Sequence, residues 1–253
     1  MNTFLGHIQL FDFTVSQLVL TALVFIWSGF VRSGLGFGGA ALSLPLLLMI
    51  FDQPLFWLPI LGLQLLFFSA LTLRNRFYNV DWEVLKKTSV FIFPAKFIGV
   101  FGLISLPNQW LIILIYCITL FYAVMWMLNL RIHSDKGWTD KLLLAIGGYF
   151  SGTSLSGAPL IVAVYANMTT RARLRDTLFV LWFVLVSIKI ITLAVFDIDL
   201  QLSSALLLIP IAALGHIIGL KVHVYLLQND HTFRRVIGGV LFVICSIGLG
   251  ALR

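Results

Sequence analysis

Apolar runs of membrane-spanning length recur along the whole chain and limit its fold more than any other feature. They lie at about 14–50, 55–73, 88–106, 109–130, 142–168, 177–196, 203–222 and 234–252. A helix needs about 20 mainly apolar residues to cross a bilayer, and the connections between these runs are short. With 60% hydrophobic and 11% charged residues, the composition is also far from that of a soluble domain. The sequence therefore predicts an all-α polytopic membrane protein without a separate soluble domain.

The amino terminus and the cysteines agree with this class. The first residues, MNTFLGHIQLFDF, lack a basic region and a cleavage site ahead of an apolar core, so we expect the first apolar run to be retained. Cys117 and Cys245 stand alone in apolar runs without metal-ligand spacing, and we interpret both as packing residues. We expect no metal, no cofactor and no nucleic acid; the expected partners are the lipid bilayer and a small substrate.

Two of the apolar runs contain a break. The run at 14–50 is too long for one crossing and contains GFVRSGLGFGGAALSLP, residues 29–45. The run at 142–168 is interrupted by SGTSLSGAP, residues 151–159. Glycine and proline in these stretches disfavour a continuous helix. Each run is therefore either one kinked crossing or a hairpin of two half-helices that enters the membrane and returns to the same side.

The basic residues favour the returning hairpin, because cytoplasmic loops collect lysine and arginine. The loops at 51–54, 105–109 and 197–201 contain neither. All basic loops fall on one side only if the 142–168 run returns, and this arrangement predicts both chain termini outside the cytoplasm. The basic residues concerned are Arg74, Arg76, Lys86, Lys87, Arg131, Lys136, Lys141, Arg171, Arg173, Arg175, Arg234 and Arg235.

The two halves of the chain, 1–130 and 131–253, resemble each other. The matches are Gly34 and Gly39 with Gly152 and Gly157 at a shift of 118, and a P-x4-G pattern at 94–99 and 210–215. Each half would be a glycine-rich hairpin followed by three spans, and an odd number of spans inverts the second copy. Such inverted-topology repeats are typical of secondary transporters. The alternative is coincidence, because glycine and proline are common in membrane helices.

The glycine-rich stretches would place two hairpin tips inside the membrane. Half-helices beginning near Gly38 and Gly157 would direct their N-termini at one another near the midplane. Two facing helix N-termini, with their free N–H groups and partial positive charge, would form an anion site in one cavity. Nearby hydroxyl groups would add donors. The alternative is that the small residues only allow close helix packing. The candidate binding residues are Ser33, Gly34, Gly36, Gly38, Gly39, Ser151, Gly152, Thr153, Ser154, Ser156 and Gly157.

Three cations, Arg32, Lys96 and Lys189, lie inside apolar runs, whereas the 10 acidic residues fall in loops or at span ends. A charge at the bilayer centre costs at least ~2.5 kcal/mol and usually faces a cavity or a counter-ion. A negatively charged substrate would be that counter-ion. The alternative is that the lysines are neutral or extend to an interface, as we expect of Lys221.

Three further polar residues are candidate ligands. His216 follows Gly215 in the second P-x4-G helix and could bind substrate, carry a proton or form a structural hydrogen bond. Gln64 and Trp182, which are equivalent at the shift of 118, are expected in the walls of the same cavity.

These motifs resemble those of a known family. GFVRSGLGFGGAALSLP and GYFSGTSLSGAPLIVAVY, each followed by three spans and a P-x4-G helix, are similar to the motifs of the TauE/SafE family of sulfite and organosulfonate transporters. The resemblance covers nearly the whole chain, and the second motif is the more degenerate copy. It implies that the substrate is a small sulfur oxyanion or sulfonate, whereas the residues themselves indicate only an anion.

We therefore expect a secondary transporter, and an exporter, of sulfite, sulfoacetate or another organosulfonate in the cytoplasmic (inner) membrane. An anion channel, an intramembrane enzyme acting on a small anion and a structural membrane protein are the alternatives. GTSLSG lacks the final glycine of a G-x-S-x-G nucleophile turn, and no HExxH, CxxC or Walker A stretch occurs, so we expect no enzyme. The anion, the direction, the coupling ion and the oligomeric state stay open, a homodimer included.

Overall fold

The computed structural model describes residues 9–35, 38–74, 76–130, 132, 137–228 and 230–252. In these residues all regular structure is helical. The ten α-helices are α1 (Val15–Leu35), α2 (Gly39–Ile50), α3 (Pro54–Leu73), α4 (Trp82–Ser105), α5 (Asn108–Met127), α6 (Gly137–Ser154), α7 (Ala158–Met168), α8 (Arg171–Val195), α9 (Leu202–Gln228) and α10 (Asp230–Ala251). Two short 3-10 helices lie at Leu10–Asp12 and Phe77–Asn79.

Seven helices in this part of the chain are long and apolar enough to cross a membrane, namely α1, α3, α4, α5, α8, α9 and α10. The apolar helices α2 and α7 are too short to cross alone. Neither of the two long apolar runs forms a single helix, as the sequence predicts, because α1 ends before α2 begins and α6 ends before α7 begins. The chain is therefore a multi-pass, all-α membrane protein.

The first of two compact units comprises Met1–Leu61, Pro107–Arg131 and Leu193–Arg253. In this unit α1 packs along α9, α2 packs on α1, and α5 packs on α10. The α1–α9 contact is close because glycine lies on both helices: a Cβ atom on Gly215 would overlap the carbonyl oxygen of Ile26, and one on Gly29 would overlap that of Ala212. A cluster of buried apolar residues lies between α1, α2, α5 and α10, namely Val31, Leu42, Ala123, Trp126, Ile237 and Leu241.

The second unit comprises Gly62–Leu106 and Ile132–Thr192. Here α4 packs along α6, and α7 packs on α6. Glycine again permits the approach, since a Cβ atom on Gly148 would lie 2.5 Å from the carbonyl oxygen of Ile92. At the other end of α7, the hydroxyl groups of Tyr165 and Thr88 of α4 are 2.5 Å apart. The second unit thus contains a closely packed bundle in which α4 contacts both α6 and α7.

A polar cluster in the second unit joins the α3–α4 connection to the start of α8, and we call it the loop cluster. The side-chain amide of Asn79 donates to the Ala172 carbonyl at 2.8 Å and to the Asp176 carboxylate at 2.7 Å. The Thr169 hydroxyl donates to the Asp81 carboxylate at 2.8 Å. This hydrogen bond lowers the pKa of Asp81 below its ordinary value. The connections before α4 and before α8 are therefore adjacent.

Both compact units combine segments from the two halves of the sequence. The first unit contains α1, α2 and α5 from residues 1–130 and α9 and α10 from residues 131–253. The second unit contains α4 from the first half, α6 and α7 from the second, and most of α3 and α8. The compact units are thus not the two halves, and division into repeats at 130/131 stays a prediction.

Candidate functional site

The predicted site residues fall into two groups, one in each compact unit. The larger group surrounds the end of α6 and the start of α7, and we call residues 151–160 the α6–α7 tip. Gly157 is the N-cap of α7, which agrees with the helix start predicted near this glycine, and Pro159 lies in the first turn. Leu155, between the two helices, is buried and has φ of 59°, a left-handed conformation that non-glycine residues rarely adopt. Such strain is frequent at functional sites.

Two fully buried lysines end at this tip. The ammonium group of Lys96, from α4, donates to the carbonyl oxygen of Ser151 at 2.8 Å and to its hydroxyl oxygen at 3.1 Å. The ammonium group of Lys189, from α8, donates to the carbonyl oxygen of Thr153 at 3.1 Å. Both lysine side chains have 0% of their surface exposed. The sequence correctly indicates that these cations lie inside the protein, but it does not predict that they bind backbone carbonyls.

Two lysine side chains, and no carboxylate, contact the end of α6 in the described chain. The last carbonyls of α6 have partial negative charge, which explains why ammonium groups bind there. A helix end supplies only about half of one charge, however, and the two lysines bind carbonyls that are only two residues apart. Neither Lys96 nor Lys189 forms an ion pair with a carboxylate among the residues that the structure describes. An anion is the group that would balance the remaining charge.

The start of α7 offers hydrogen-bond donors at the same place. The backbone N–H groups of Gly157, Ala158 and Leu160 donate to no other residue in the described ranges, while Pro159 has no N–H. Such donors are the ones that a helix leaves without intrahelical partners at its N-terminus. These residues are buried, so water cannot freely reach the N–H groups, and an anion is a common ligand for such a helix end.

The sequence predicts that the hydroxyl groups of the tip donate to an anion, but most of them donate to backbone carbonyls. Thr153 donates to a carbonyl of Tyr149 or Phe150 at 3.3 Å, Ser154 to that of Phe150 at 3.1 Å, and Ser156 to that of Ser154 at 3.2 Å. Serine and threonine in helices commonly bond back to the preceding turn. Ser151 is the exception, since its hydroxyl oxygen accepts from Lys96 and its own hydrogen has no acceptor among the described residues.

Two other candidates, Gln64 and Trp182, are also buried in the second unit. Both polar atoms of the Gln64 side chain and the indole nitrogen of Trp182 have no hydrogen-bond partner among residues within the described ranges. The same holds for the hydroxyl of Ser69, one turn of α3 beyond Gln64, which the sequence analysis does not select. Buried polar groups normally have partners, so these atoms are available to a ligand or to water.

The smaller group of candidates belongs to the first unit. Arg32 and Ser33 lie buried near the end of α1, next to Gly34. The Ser33 hydroxyl is 2.8 Å from the Gly29 carbonyl and 2.9 Å from that of His216, so it connects α1 to α9. His216 itself is half-buried in α9.

The first turn of α2 completes this group. Gly38 is the N-cap of α2 and has φ of 85°, which favours glycine. Gly39 lies against α1, since a Cβ atom there would be 2.7 Å from the Ser28 carbonyl oxygen. Gly36, another predicted ligand, lies outside the described residues.

Comparison with protein families decides the class of this protein. The family model described as Sulfite exporter TauE/SafE matches residues 21–247. The chain belongs to the TauE/SafE family. Neither the curated proteins nor the solved structures contain a match.

Membership in the TauE/SafE family confirms the resemblance inferred from the two glycine-rich motifs. The matched residues include both motifs and all seven helices that can cross a membrane, at least in part. TauE/SafE proteins are membrane transporters of sulfur-containing anions and not enzymes, in agreement with the expected class. Lys96 and Lys189, both buried at the α6–α7 tip, lie within the matched residues.

Proposed function

We propose that this protein exports a small sulfur oxyanion or sulfonate across the cytoplasmic membrane and binds it at the α6–α7 tip. The observation that carries the proposal is the burial of Lys96 and Lys189 at one helix end without a carboxylate partner in the described chain. At an effective dielectric constant of about 20, an anion about 4 Å from one ammonium group gains about 4 kcal/mol of Coulomb energy. That gain offsets part of the anion's dehydration.

The donors at the tip suit an oxyanion in particular. Sulfite and sulfonate groups have three oxygen atoms that accept hydrogen bonds. The donors available at the tip are the lysine ammonium groups, the Ser151 hydroxyl and the N–H groups of Gly157 and Ala158. Charge-assisted hydrogen bonds of this kind are about twice as strong as neutral ones. A halide ion would be attracted by the positive charge, but it lacks the separate oxygen atoms that could accept hydrogen bonds from several donors.

We further propose that α6 and α7 form a hairpin that enters the membrane and returns to the cytoplasmic side. Contacts along α4 support this proposal. A Cβ atom on Gly148 would contact the backbone of Ile92, and Ser151 binds Lys96 one turn further along, so α6 runs in the same direction as α4. Tyr165, near the end of α7, binds Thr88 near the start of α4, so α7 runs back.

The loop cluster supports the same topology independently. It joins the connection before α4 to the connection before α8 through Asn79, Asp81, Thr169 and Asp176. Between these connections the chain passes through α4, α5 and the α6–α7 segment. Two complete crossings return it to the starting side, so the α6–α7 segment must also begin and end on that side. Arg76 and Arg173 mark it as cytoplasmic, and both termini are then outside.

The inverted repeat is part of this proposal as well, with halves at 1–130 and 131–253. In each compact unit the first helix of a glycine-rich hairpin packs in the same direction along the P-x4-G helix of the other half, α1 along α9 and α6 along α4. Reciprocal pairing of this kind is expected when two equivalent halves exchange elements. Transporters use such repeats for alternating access, with discontinuous helices at the substrate site.

Transport through this tip would not need sodium. In many carriers the C-terminal carbonyls of a half-helix coordinate the coupling cation. Here the ammonium groups of Lys96 and Lys189 already bind those carbonyls of α6. The lysines act as tethered cations, so the driving force for export is the inside-negative membrane potential, worth about 2.3 kcal/mol per charge per 100 mV.

Counterflow in proteoliposomes tests the proposed function. Vesicles loaded with unlabelled sulfite should accumulate radiolabelled sulfite transiently and with saturation, which is the behaviour of a carrier. Lys189→Gln should reduce this uptake at low sulfite concentration by about 100-fold, whereas Lys221→Gln, which removes an exposed lysine of α9, should leave it unchanged. Absence of saturable sulfite exchange in the wild-type protein, or equal loss in both variants, would contradict the proposal.

A further inference from the structure

We infer that the α6–α7 tip selects doubly charged sulfur oxyanions over singly charged ones. The inference rests on the proposed function and deepens it by assigning the charge of the substrate. It starts from the number of cations at one place: Lys96 and Lys189 arrive from different helices and bind carbonyls that are only two residues apart, at Ser151 and Thr153.

The local charges at the tip would be neutralised by a ligand with two negative charges. The end of α6 contributes about half a negative charge, and the start of α7, only a few residues away, contributes about half a positive charge. These two contributions offset each other. With both lysines protonated, the ammonium groups then leave about two positive charges, which a bound dianion would neutralise and a singly charged sulfonate would neutralise only by half.

Four acidic residues of the second unit are described, and all are too far along their helices to change this balance. Glu83 precedes Lys96 by 13 positions in α4, or about 20 Å, and Asp140 precedes Ser151 by 11 positions in α6, or about 16 Å. Asp81 precedes Lys96 by 15 positions in α4 and its cap, which is about 22 Å at 1.5 Å per residue. Asp176 precedes Lys189 by 13 positions in α8, or about 20 Å. Both belong to the loop cluster, where hydrogen bonds to Thr169 and Asn79 hold them.

The burial of the lysines makes the difference between one and two charges large. Both side chains are completely shielded from solvent, so water does not screen the repulsion between the ammonium groups. A dianion relieves this repulsion and pairs with both cations. A monoanion of the same shape leaves one buried cation without a counter-ion, which is costly in a membrane interior.

The alternative explanation is that the lysines only cap the end of α6. Under that explanation the anion's second charge would bring no advantage, because each ammonium group would be satisfied by the helix carbonyls. Removal of one lysine would then reduce stability without changing the preference among anions. The two explanations therefore predict different ratios between the affinity for a dianion and the affinity for a monoanion. A loss of function in a lysine variant alone would not distinguish them.

Sulfate and methanesulfonate form a suitable pair of probes, because both have a tetrahedral sulfur with oxygen atoms and they differ by one charge. We would measure how each competes with radiolabelled sulfite for binding to the wild-type protein. Sulfate should compete at least about 10-fold more strongly. In Lys96→Gln and in Lys189→Gln this ratio should fall to about one, and in Lys221→Gln it should be unchanged.

Equal or better competition by methanesulfonate would overturn the inference, as would an unchanged ratio in both tip variants or competition by neither anion. The wild-type ratio decides even if the variants fail to fold. If sulfite itself is not exchanged, the proposed function fails separately, and thermal shifts of the wild-type protein with sulfate and with methanesulfonate still test the charge preference. A larger shift with sulfate would support the inference, and equal shifts would overturn it.

Discussion

The ammonium group of Lys96 lies 2.8 Å from the carbonyl oxygen of Ser151, so a cation from α4 ends on the tip between α6 and α7. The two residues come from different halves of the chain and from segments that the sequence marks for different reasons. Lys96 stands out because it is a charge in an apolar run, and Ser151 because it begins a glycine- and serine-rich break. Their contact joins the two motifs at the place where we propose that the anion binds.

The packing of α4 against α6 should depend on Gly148. An added Cβ atom would lie 2.5 Å from the carbonyl oxygen of Ile92, so Gly148→Ala must separate the two helices. We expect a loss of about 1–3 kcal/mol in the free energy of unfolding, the usual cost of overpacking. The melting temperature of the purified protein in detergent measures the effect. Gly239→Ala is the control, because no neighbouring atom lies within 4 Å of the added Cβ atom. Equal melting temperatures for both variants would contradict the described packing.

The loop cluster should lose stability in acid. The hydrogen bond from Thr169 lowers the pKa of Asp81 below 3.8, so the ionised carboxylate stabilises the folded state. This contribution is fully present above the unfolded pKa and disappears as the pH falls through the lower folded pKa. In Thr169→Val the melting temperature should depend less on pH below about 3.8. Thr192→Val, which removes a hydroxyl that bonds only within α8, is the control. Identical pH profiles for Thr169→Val and the wild type would contradict the assignment.

The hairpin topology predicts that the connections before α4 and before α8 face the same compartment. In a background without Cys117 and Cys245, single cysteines at Tyr78, which is 87% exposed, and at exposed Arg173 should react with a membrane-impermeant maleimide only from the cytoplasmic side. A cysteine at Asp199 should react only from outside. Labelling of the first two positions from opposite sides would exclude a returning α6–α7 hairpin.

Export should be driven by voltage and should not need sodium. Lys96 and Lys189 occupy the carbonyls at which a coupling cation would bind, and the described acidic residues lie toward helix ends. In proteoliposomes loaded with radiolabelled sulfite, an inside-negative potential set by potassium and valinomycin should accelerate efflux in sodium-free buffer. Efflux that stops without sodium would refute this mechanism. Efflux that follows a pH gradient and not the voltage would also refute it, and would favour His216 as a proton carrier.

The sequence predicts the class of this protein and the position of its helices because both depend on local composition. The runs at 14–50 and 142–168 break where glycine accumulates, and the predicted helix starts near Gly38 and Gly157 agree with α2 and α7. Hydropathy also places Lys96 and Lys189 inside apolar runs, but their complete burial, without extension to an interface, is a finding of the structure.

Other features of the tip depend on contacts between distant residues, which the sequence pattern does not contain. The predicted hydroxyl donors of Thr153, Ser154 and Ser156 bond to nearby carbonyls, because a carbonyl of the preceding turn is within reach in a helix. Predicting that α4 packs on α6, and α1 on α9, would require knowing which glycines distant in sequence face each other. The left-handed conformation of Leu155 has no signal in its residue type.

Equilibrium binding of radiolabelled sulfite to the purified protein in lipid nanodiscs tests the central claim most directly, because it needs neither a gradient nor turnover. The wild-type protein, Lys96→Gln, Lys189→Gln and the control Lys221→Gln would be compared after confirmation that each is folded. We expect dissociation constants about 100-fold higher for the two tip variants and an unchanged constant for Lys221→Gln, since Lys96 and Lys189 are buried at the tip whereas Lys221 is exposed. Equal dissociation constants for all four proteins would contradict the central claim.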